Sequence, residues 1–145
     1  MGCVIAEMQI GVPLFYGKDA LAVLSAITAY IGPPKHSEAI ALNPTLESVR
    51  FPAVKRNIPA KLRPGEANMQ LLDLLSKLLC YDPSKRLLAI EALAHPYFDE
   101  LRDPKTELPS KSLHLFNFYK SELGTRKDLY EKLVPEHCRE RNRRA

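Results

Sequence analysis

Arg86 is the side chain of this chain that most clearly requires an anion. It follows the turn-forming residues Asp82-Pro83-Ser84 and directly precedes an apolar helical run that begins at Leu87. A planar guanidinium can bind a carboxylate through two parallel hydrogen bonds and so hold a loop against a helical core. The identity of the anion that faces Arg86 therefore decides what chemistry the chain can do.

Other residues of reactive type favour structural roles. His95 precedes Pro96, and no second ligand stands three or four residues away, so a helix-ending role is favoured over metal binding. Glu7 lies in an apolar helical segment and is interpreted as a hydrogen-bonded core carboxylate rather than a catalytic acid. Serines beside lysines fit ordinary turns and need no modification to explain them; these are Ser84, Ser110 and Ser112.

Composition favours a reduced globular protein without a membrane partner. The three cysteines, Cys3, Cys80 and Cys138, have no paired or metal-ligand spacing, which is typical of cytoplasmic or nuclear thiols. No apolar run approaches the roughly 20 residues of a membrane span. The net charge is +4, and four arginines crowd the last seven residues, "RERNRRA". That tail has no interleaved aromatic residues, so a disordered solvated end is favoured over nucleic-acid binding.

The elements that must position these residues are helices, and the predicted fold class is all-α. A buried helix is expected over residues 2–10, ended by Gly11, and Asp19 is expected to cap the next helix. Prolines should break residues 35–65 into a long loop with no regular element longer than a turn or two. Three more helices are predicted, in "EANMQLLDLLSKLLCY", which should be buried on most sides, in the run after Arg86, and in "TRKDLYEKLVPEH".

Several of these segments together resemble part of a known family. "GCVIAEMQIGVPLFYGKD", "IGPP" and "LLCYDPSKRLLAIEALAHPYFDELRDP" are similar to the second half of the large lobe of a CMGC-group protein kinase, and "LFNF" narrows the resemblance to the glycogen synthase kinase 3 (shaggy-like) family. The resemblance implies a partial protein-kinase-like fold, a helical C-lobe from the central helix to the C-terminal extension, with no N-lobe sheet. It places a partial C-lobe at 1–102 with an insert at 33–65, an extension at 103–135 and a basic tail at 136–145.

The resemblance implies a role for Arg86. In this family, the equivalent arginine forms a buried salt bridge with the glutamate of an Ala-Pro-Glu motif that closes the activation segment. No Ala-Pro-Glu occurs in the 145 residues, so Arg86 is expected to be a structural ion-pair arginine whose partner is absent. Leu88 stands where the family has a capping Ser or Thr, and the lost cap should cost about 1 kcal/mol.

The catalytic motifs of kinases are also not present in the sequence. Phosphoryl transfer by kinases uses a glycine-rich loop, a strand lysine paired with a helix glutamate, His-Arg-Asp and Asp-Phe-Gly. None of the recognisable motifs occurs in the sequence, so no catalytic, cofactor-binding or metal-binding residue is assigned. ATP and Mg²⁺ are expected cofactors of the full-length family and not of this chain, which we expect to be an inactive, marginally stable fragment.

The resemblance also implies a docking surface. In glycogen synthase kinase 3 relatives, the second helix and the following loop form a groove for an amphipathic helix of a scaffold protein. An equally open alternative is that the matching residues simply pack the loop onto the helical core. The predicted groove residues are Leu46, Val49, Phe51 and Val54.

Three interpretations remain open at this point. The favoured one is a truncated fragment of a glycogen synthase kinase 3-like Ser/Thr kinase, which would meet protein substrates only together with the missing half. The second is a non-catalytic scaffold-docking module. The third, a nucleic-acid-binding domain, depends on the basic tail alone.

Overall fold

A computed structural model describes residues 1–51, 54, 55, 57, 59, 62, 69–107, 115–124, 126–136, 138 and 139. Within these residues the regular elements are α-helices and short 3₁₀ turns, with no β-strand, so the predicted all-α class is confirmed. None of the helices described there combines the length and the apolar composition needed to cross a membrane. The chain divides into two compact units, Met1–Leu87 and Leu88–Ala145.

Among its described residues, the first unit contains four α-helices and two 3₁₀ turns. Gly11 ends the first helix in a left-handed conformation at φ 83°, as predicted. Asp19 caps the second helix, also as predicted, because its Oδ1 accepts a hydrogen bond from the Ala22 amide at 2.8 Å. The helices are α1 (Gly2–Ile10), α2 (Ala20–Ile31), α3 (His36–Leu42) and α4 (Met69–Leu78), and the 3₁₀ turns are Pro44–Leu46 and Pro83–Lys85.

The core of the first unit forms where α1 packs against α4. Gly2 permits a close approach, since a Cβ atom at this position would lie 2.9 Å from Leu79 Cδ2 and 3.1 Å from Leu78 Cβ. Leu62 completes this core from the loop before α4, with none of its surface exposed. The helical residues buried in the unit are Ile5 and Ala6 of α1, Ala39 of α3, and Leu71, Leu74 and Leu75 of α4.

The prediction that α1 is a buried helix is wrong for one of its faces. Val4 is 55% exposed and Met8 is 73% exposed, because α4 packs on the opposite face of α1. Glu7 is exposed as well and is not the core carboxylate that the sequence suggested. An apolar helix shows no hydrophobic period that could distinguish its covered side from its open side, so the sequence pattern cannot settle this point.

The described part of the insert after α2 contains one short α-helix, which stays within the predicted limit of a turn or two. α3 provides two helical turns in the segment between Pro34 and Pro44, which leaves enough residues free of proline for a short helix. The Lys35 amide at the start of α3 donates to Glu38 Oε2 at 2.8 Å. Farther along, the Asn57 amide donates to the Ala29 carbonyl of α2 at 2.8 Å, which anchors the insert to that helix. Residues 66–68, with which the predicted helix "EANMQLLDLLSKLLCY" begins, lie outside the described residues.

The second unit is built around the packing of α5 (Ala89–Leu93) against α8 (Lys127–Leu133). It also contains the 3₁₀ turn Pro96–Phe98, α6 (Asp99–Arg102) and α7 (Lys120–Leu123). The contacts of α5 with α8 join residues 88–102 to the C-terminal extension within this unit. The predicted domain bounds stay a prediction. The buried apolar residues of the unit are Ala92, Leu129, Leu133 and Val134.

One arginine joins the two principal helices of the second unit. Arg126 Nη1 donates to Glu91 Oε1 at 3.2 Å, and its Nε donates to Asp128 Oδ1 at 3.0 Å. The hydrogen bond from Arg126 holds the pKa of the Asp128 carboxyl below its ordinary value. Arg139, which falls in the predicted basic tail, donates to the Val134 and Glu131 carbonyls at 3.1 and 2.9 Å. The arginines beyond it in that tail lie outside the described residues.

The N-terminus of α5 provides the first testable prediction. The Leu88 amide donates to Glu91 Oε2 at 3.0 Å, which is one half of a capping box, but the leucine side chain cannot accept a bond from the helix in return. Leu88 is 65% exposed, so a polar replacement loses little buried apolar surface. We expect Leu88→Ser to supply the missing acceptor and to raise the free energy of unfolding by about 1 kcal/mol in urea denaturation.

Leu93→Ser is the matched control, because Leu93 is also an exposed leucine of α5 but lies at the C-terminal end of that helix. Its hydroxyl is too far along the helix to cap the N-terminus, so no stabilisation is expected. Equal effects of the two substitutions would show that the absent Leu88 cap has no influence on stability.

Candidate functional site

The turn that presents Arg86 is fixed by Asp82. Asp82 Oδ1 accepts from the Ser84 amide at 3.0 Å and from Ser84 Oγ at 2.7 Å, and Oδ2 pairs with Lys85 Nζ at 3.1 Å. The hydrogen bonds from Ser84 and then from Lys85 hold the pKa of the Asp82 carboxyl below its ordinary value. Pro83 begins the 3₁₀ turn with its φ angle already set. The result is a rigid turn directly before Arg86.

Arg86 binds the backbone at the end of α4. Its Nε donates to the Cys80 carbonyl at 2.9 Å and its Nη2 donates to the Tyr81 carbonyl at 3.4 Å, while the side chain stays exposed. Among the residues that the structure describes, no carboxylate pairs with Arg86. A guanidinium has five N–H donors, so these two contacts leave donors for a carboxylate ligand. The predicted ion pair with an Ala-Pro-Glu glutamate stays a prediction.

Tyr81 connects this turn to the end of α2. Its hydroxyl donates to the Gly32 carbonyl at 2.7 Å, across 49 residues of sequence. Burial raises the pKa of the Tyr81 hydroxyl, and the nearby Glu38 carboxylate raises it further. The Cys80 and Tyr81 carbonyls thus accept hydrogen bonds from Arg86, and the Tyr81 hydroxyl links the same segment to the end of α2.

The four predicted groove residues lie on the insert and are partly accessible. Leu46, Phe51 and Val54 are half-buried, and Val49 is 43% exposed. The bond from Asn57 to α2 described above anchors the same insert. On α2 itself, Leu21 and Leu24 are 75% and 40% exposed. Apolar side chains are therefore accessible on both parts that the resemblance assigns to the groove, whereas the groove itself stays a prediction.

The remaining reactive residues have structural positions where they are described. His95 is buried, and its Nδ1 accepts from the Tyr97 amide at 3.2 Å, so it caps the N-terminus of the 3₁₀ turn Pro96–Phe98. The predicted helix-ending position belongs to Ala94, the C-cap of α5. Cys3, Cys80 and Cys138 are free thiols. Within the described part of the chain, no three His, Cys, Asp or Glu side chains are grouped to hold a metal ion. Ser110 and Ser112 lie outside the described residues.

Sequence reasoning missed two tertiary arginine sites. Arg102 donates to the Leu93 and His95 carbonyls at 2.7 and 2.9 Å and to Asp99 Oδ1 at 2.6 Å. The acid three residues before Arg102 is a local signal that could have indicated the last of these bonds. The link from Arg126 to Glu91 spans 35 residues, and no local pattern indicates it.

Comparison with known proteins extends these observations. No protein-family model matches the chain. The chain is 40% identical over 148 aligned residues to the protein kinase gsk3 of Schizosaccharomyces pombe, and the match covers 96% of this chain and 38% of that kinase. The chain thus spans under two fifths of the length of this relative.

With its helical fold, this similarity assigns the chain to the class of protein-kinase-like folds, as part of the helical C-lobe. More narrowly, the chain is similar over nearly its whole length to part of the S. pombe kinase gsk3, in agreement with the glycogen synthase kinase 3 resemblance of its sequence motifs.

The bond between Tyr81 and Gly32 yields the second prediction. Because folding raises the pKa of Tyr81, its contribution to stability is complete below about pH 10, the ordinary tyrosine value, and is lost as the pH rises through the higher folded-state pKa. Tyr81→Phe should cost about 1 kcal/mol at neutral pH. The loss of stability between about pH 9 and pH 11, followed by urea denaturation, should be smaller in this variant than in the parent chain.

Tyr16→Phe serves as the control, because Tyr16 is 76% exposed. It should leave both the neutral-pH stability and its alkaline decline close to those of the parent chain. An unchanged alkaline decline in Tyr81→Phe would contradict the proposed contribution of the Tyr81 hydroxyl.

Proposed function

We propose that this chain is the C-terminal part of the large lobe of a glycogen synthase kinase 3-like Ser/Thr kinase. In that proposal the whole kinase transfers a phosphoryl group from ATP to protein Ser or Thr residues. The observation that carries it is the 40% identity along 96% of the chain to a protein kinase. Because the chain spans 38% of that relative, the activity is proposed for the whole protein.

We propose further that the segment alone does not transfer phosphate. The sequence lacks the kinase motifs that bind nucleotide and metal, which supports this proposal. ATP and Mg²⁺ would accordingly be bound by other parts of the kinase, and protein substrates would be met there. A cytoplasmic or nuclear location is proposed as well, which the three free cysteines support.

In this proposal Arg86 clamps the activation segment to the C-lobe. Its bonds to the Cys80 and Tyr81 carbonyls orient the guanidinium before any carboxylate arrives. Pre-orientation reduces the conformational entropy lost when a flexible arginine forms an ion pair. The remaining donors suit the glutamate of an Ala-Pro-Glu motif supplied by the preceding part of the kinase.

A chimaeric kinase tests the proposal. The segment of the S. pombe kinase gsk3 that aligns with this chain is replaced by these 145 residues, and phosphate transfer from radiolabelled ATP to a protein substrate is measured. We expect the chimaera to be active and the 145-residue chain alone to be inactive. Arg86→Ala in the chimaera should lower the rate at least about tenfold, since it leaves a carboxylate without its partner in a buried site.

Two controls separate the outcomes. Arg86→Lys keeps the positive charge and loses the bidentate geometry, so its rate should lie between those of the parent chimaera and Arg86→Ala. Leu88→Ser lies two residues away and should leave the rate unchanged. A folded chimaera without activity would overturn the kinase assignment, and a fully active Arg86→Ala chimaera would overturn the proposed clamp.

A second candidate function is docking of an amphipathic helix without catalysis. The accessible apolar residues of α2, Leu21 and Leu24, together with an insert anchored to α2, favour it. The partner would present one apolar helix face to the predicted groove residues.

Phe51→Asp tests this candidate, because a charge at an aromatic anchor should lower affinity at least about tenfold. The measurement is fluorescence anisotropy of a labelled scaffold-protein helix titrated with the full chain. Val12→Asp is the control, since Val12 is 59% exposed and lies outside the insert. Equal losses in both variants, or no binding by the parent chain, would exclude the groove as a docking site.

A further inference from the structure

A cavity of about 510 Å³ lies within the first unit, between the end of α2, the start of α3 and α4. This volume lies within the range of small-molecule sites in proteins. Its apolar wall includes Ile31, Leu72 and Leu79, which are half-buried and so keep surface that a ligand can contact. Such a wall offers a dry surface to the apolar part of a ligand.

One fixed charge lies at the edge of this cavity. Glu38 is half-buried, and the Lys35 amide uses its Oε2, so the carboxylate is held in position. The hydroxyl of Tyr81, also in the wall, is occupied by the Gly32 carbonyl. The effect of Glu38 on the Tyr81 pKa indicates that its negative charge acts on the cavity wall. The Lys35 side chain is exposed, and its charge is therefore hydrated.

We propose that this cavity binds a small, mainly apolar molecule that carries one protonated amine. Its apolar part lies against Ile31, Leu72 and Leu79, and its ammonium group donates to Glu38. The inference is independent of phosphoryl transfer, since it requires neither nucleotide nor phosphate and uses residues of the first unit alone.

Charge complementarity favours an amine over an acid of the same shape. A ligand carboxylate at the same place would lie beside the fixed Glu38 carboxylate, and like charges at short range repel. Lys35 could compensate only by leaving water and ordering a long side chain, which costs conformational entropy. A neutral ligand would keep the apolar contacts and lose the charge-assisted hydrogen bond.

Three probes of one shape test the proposal. Isothermal titration calorimetry of the full chain is performed with biphenyl-4-ylmethylamine, biphenyl-4-ylmethanol and biphenyl-4-carboxylic acid, and methyl NMR spectra locate the bound probe. We expect the amine to bind about fivefold more tightly than the alcohol and the acid to bind more weakly than the alcohol. The shifted methyl signals should be those of Ile31, Leu72 and Leu79.

Variants assign the two parts of the site. Glu38→Gln retains an oxygen that can accept from the Lys35 amide, so the helix start is kept while the charge is removed. It should lower amine binding to the level of the alcohol and leave the alcohol unaffected. Ser76 lies on the cavity wall and is exposed, so Ser76→Phe should block all three probes with little cost to folding. Glu47→Gln, an exposed position outside the wall, is the control and should change nothing.

The outcomes are separable from those of the kinase test. An acid that binds as tightly as the amine would overturn the role of Glu38, and absence of binding by all three probes would overturn the site. The same titrations on the chimaeric kinase provide a second measurement in a complete lobe. If the probes still bound to a chimaera that carries Ser76→Phe, the proposed site would be wrong. This result would be informative whether or not the chimaera phosphorylates protein.

Discussion

The packing of α1 on α4 is the contact on which the first unit depends. Gly2 allows the two helices to approach closely, and the leucines of α4 then cover one face of α1. This contact fixes where α4 ends, and the Cys80 and Tyr81 carbonyls that receive Arg86 follow directly after that end. Apolar packing between α1 and α4 therefore sets the position of the Arg86 guanidinium. An exposed ion pair would add little to this, because such pairs contribute little free energy in water.

The same packing explains how the short turn from Asp82 to Arg86 can hold the Arg86 guanidinium in one orientation. Asp82 uses its carboxylate within the turn, on Ser84 and Lys85, so it does not compete for Arg86. Arg86 in turn binds carbonyls, which occupy donors without neutralising its charge. The guanidinium stays cationic and oriented, which are the two properties that a carboxylate partner requires.

The helix ends could be predicted from the sequence because they depend on neighbouring residues. Features that depend on contacts between distant residues could not be predicted from one sequence. Gly11 and Asp19 act on neighbouring amides and carbonyls, so their roles could be predicted directly. The exposed face of α1 could not, because an apolar segment does not indicate how many partners cover it. The bond between Tyr81 and Gly32 joins residues far apart in sequence, and the cavity beside it arises from three helices. The family and the all-helical class were predictable because motif residues and their spacing carry that information together.

Tyr81 gives the cavity and the Arg86 turn a common residue. Its side chain lies in the cavity wall, and its carbonyl accepts from Arg86. A ligand that restricts the tyrosine ring would also restrict the backbone of Tyr81, because the ring and the carbonyl are attached to the same short segment. Thermodynamic linkage then requires the reverse effect, so that a carboxylate bound at Arg86 would alter affinity for the ligand by the same factor. Since both sites lie within residues 1–87, this coupling needs no movement between the two units.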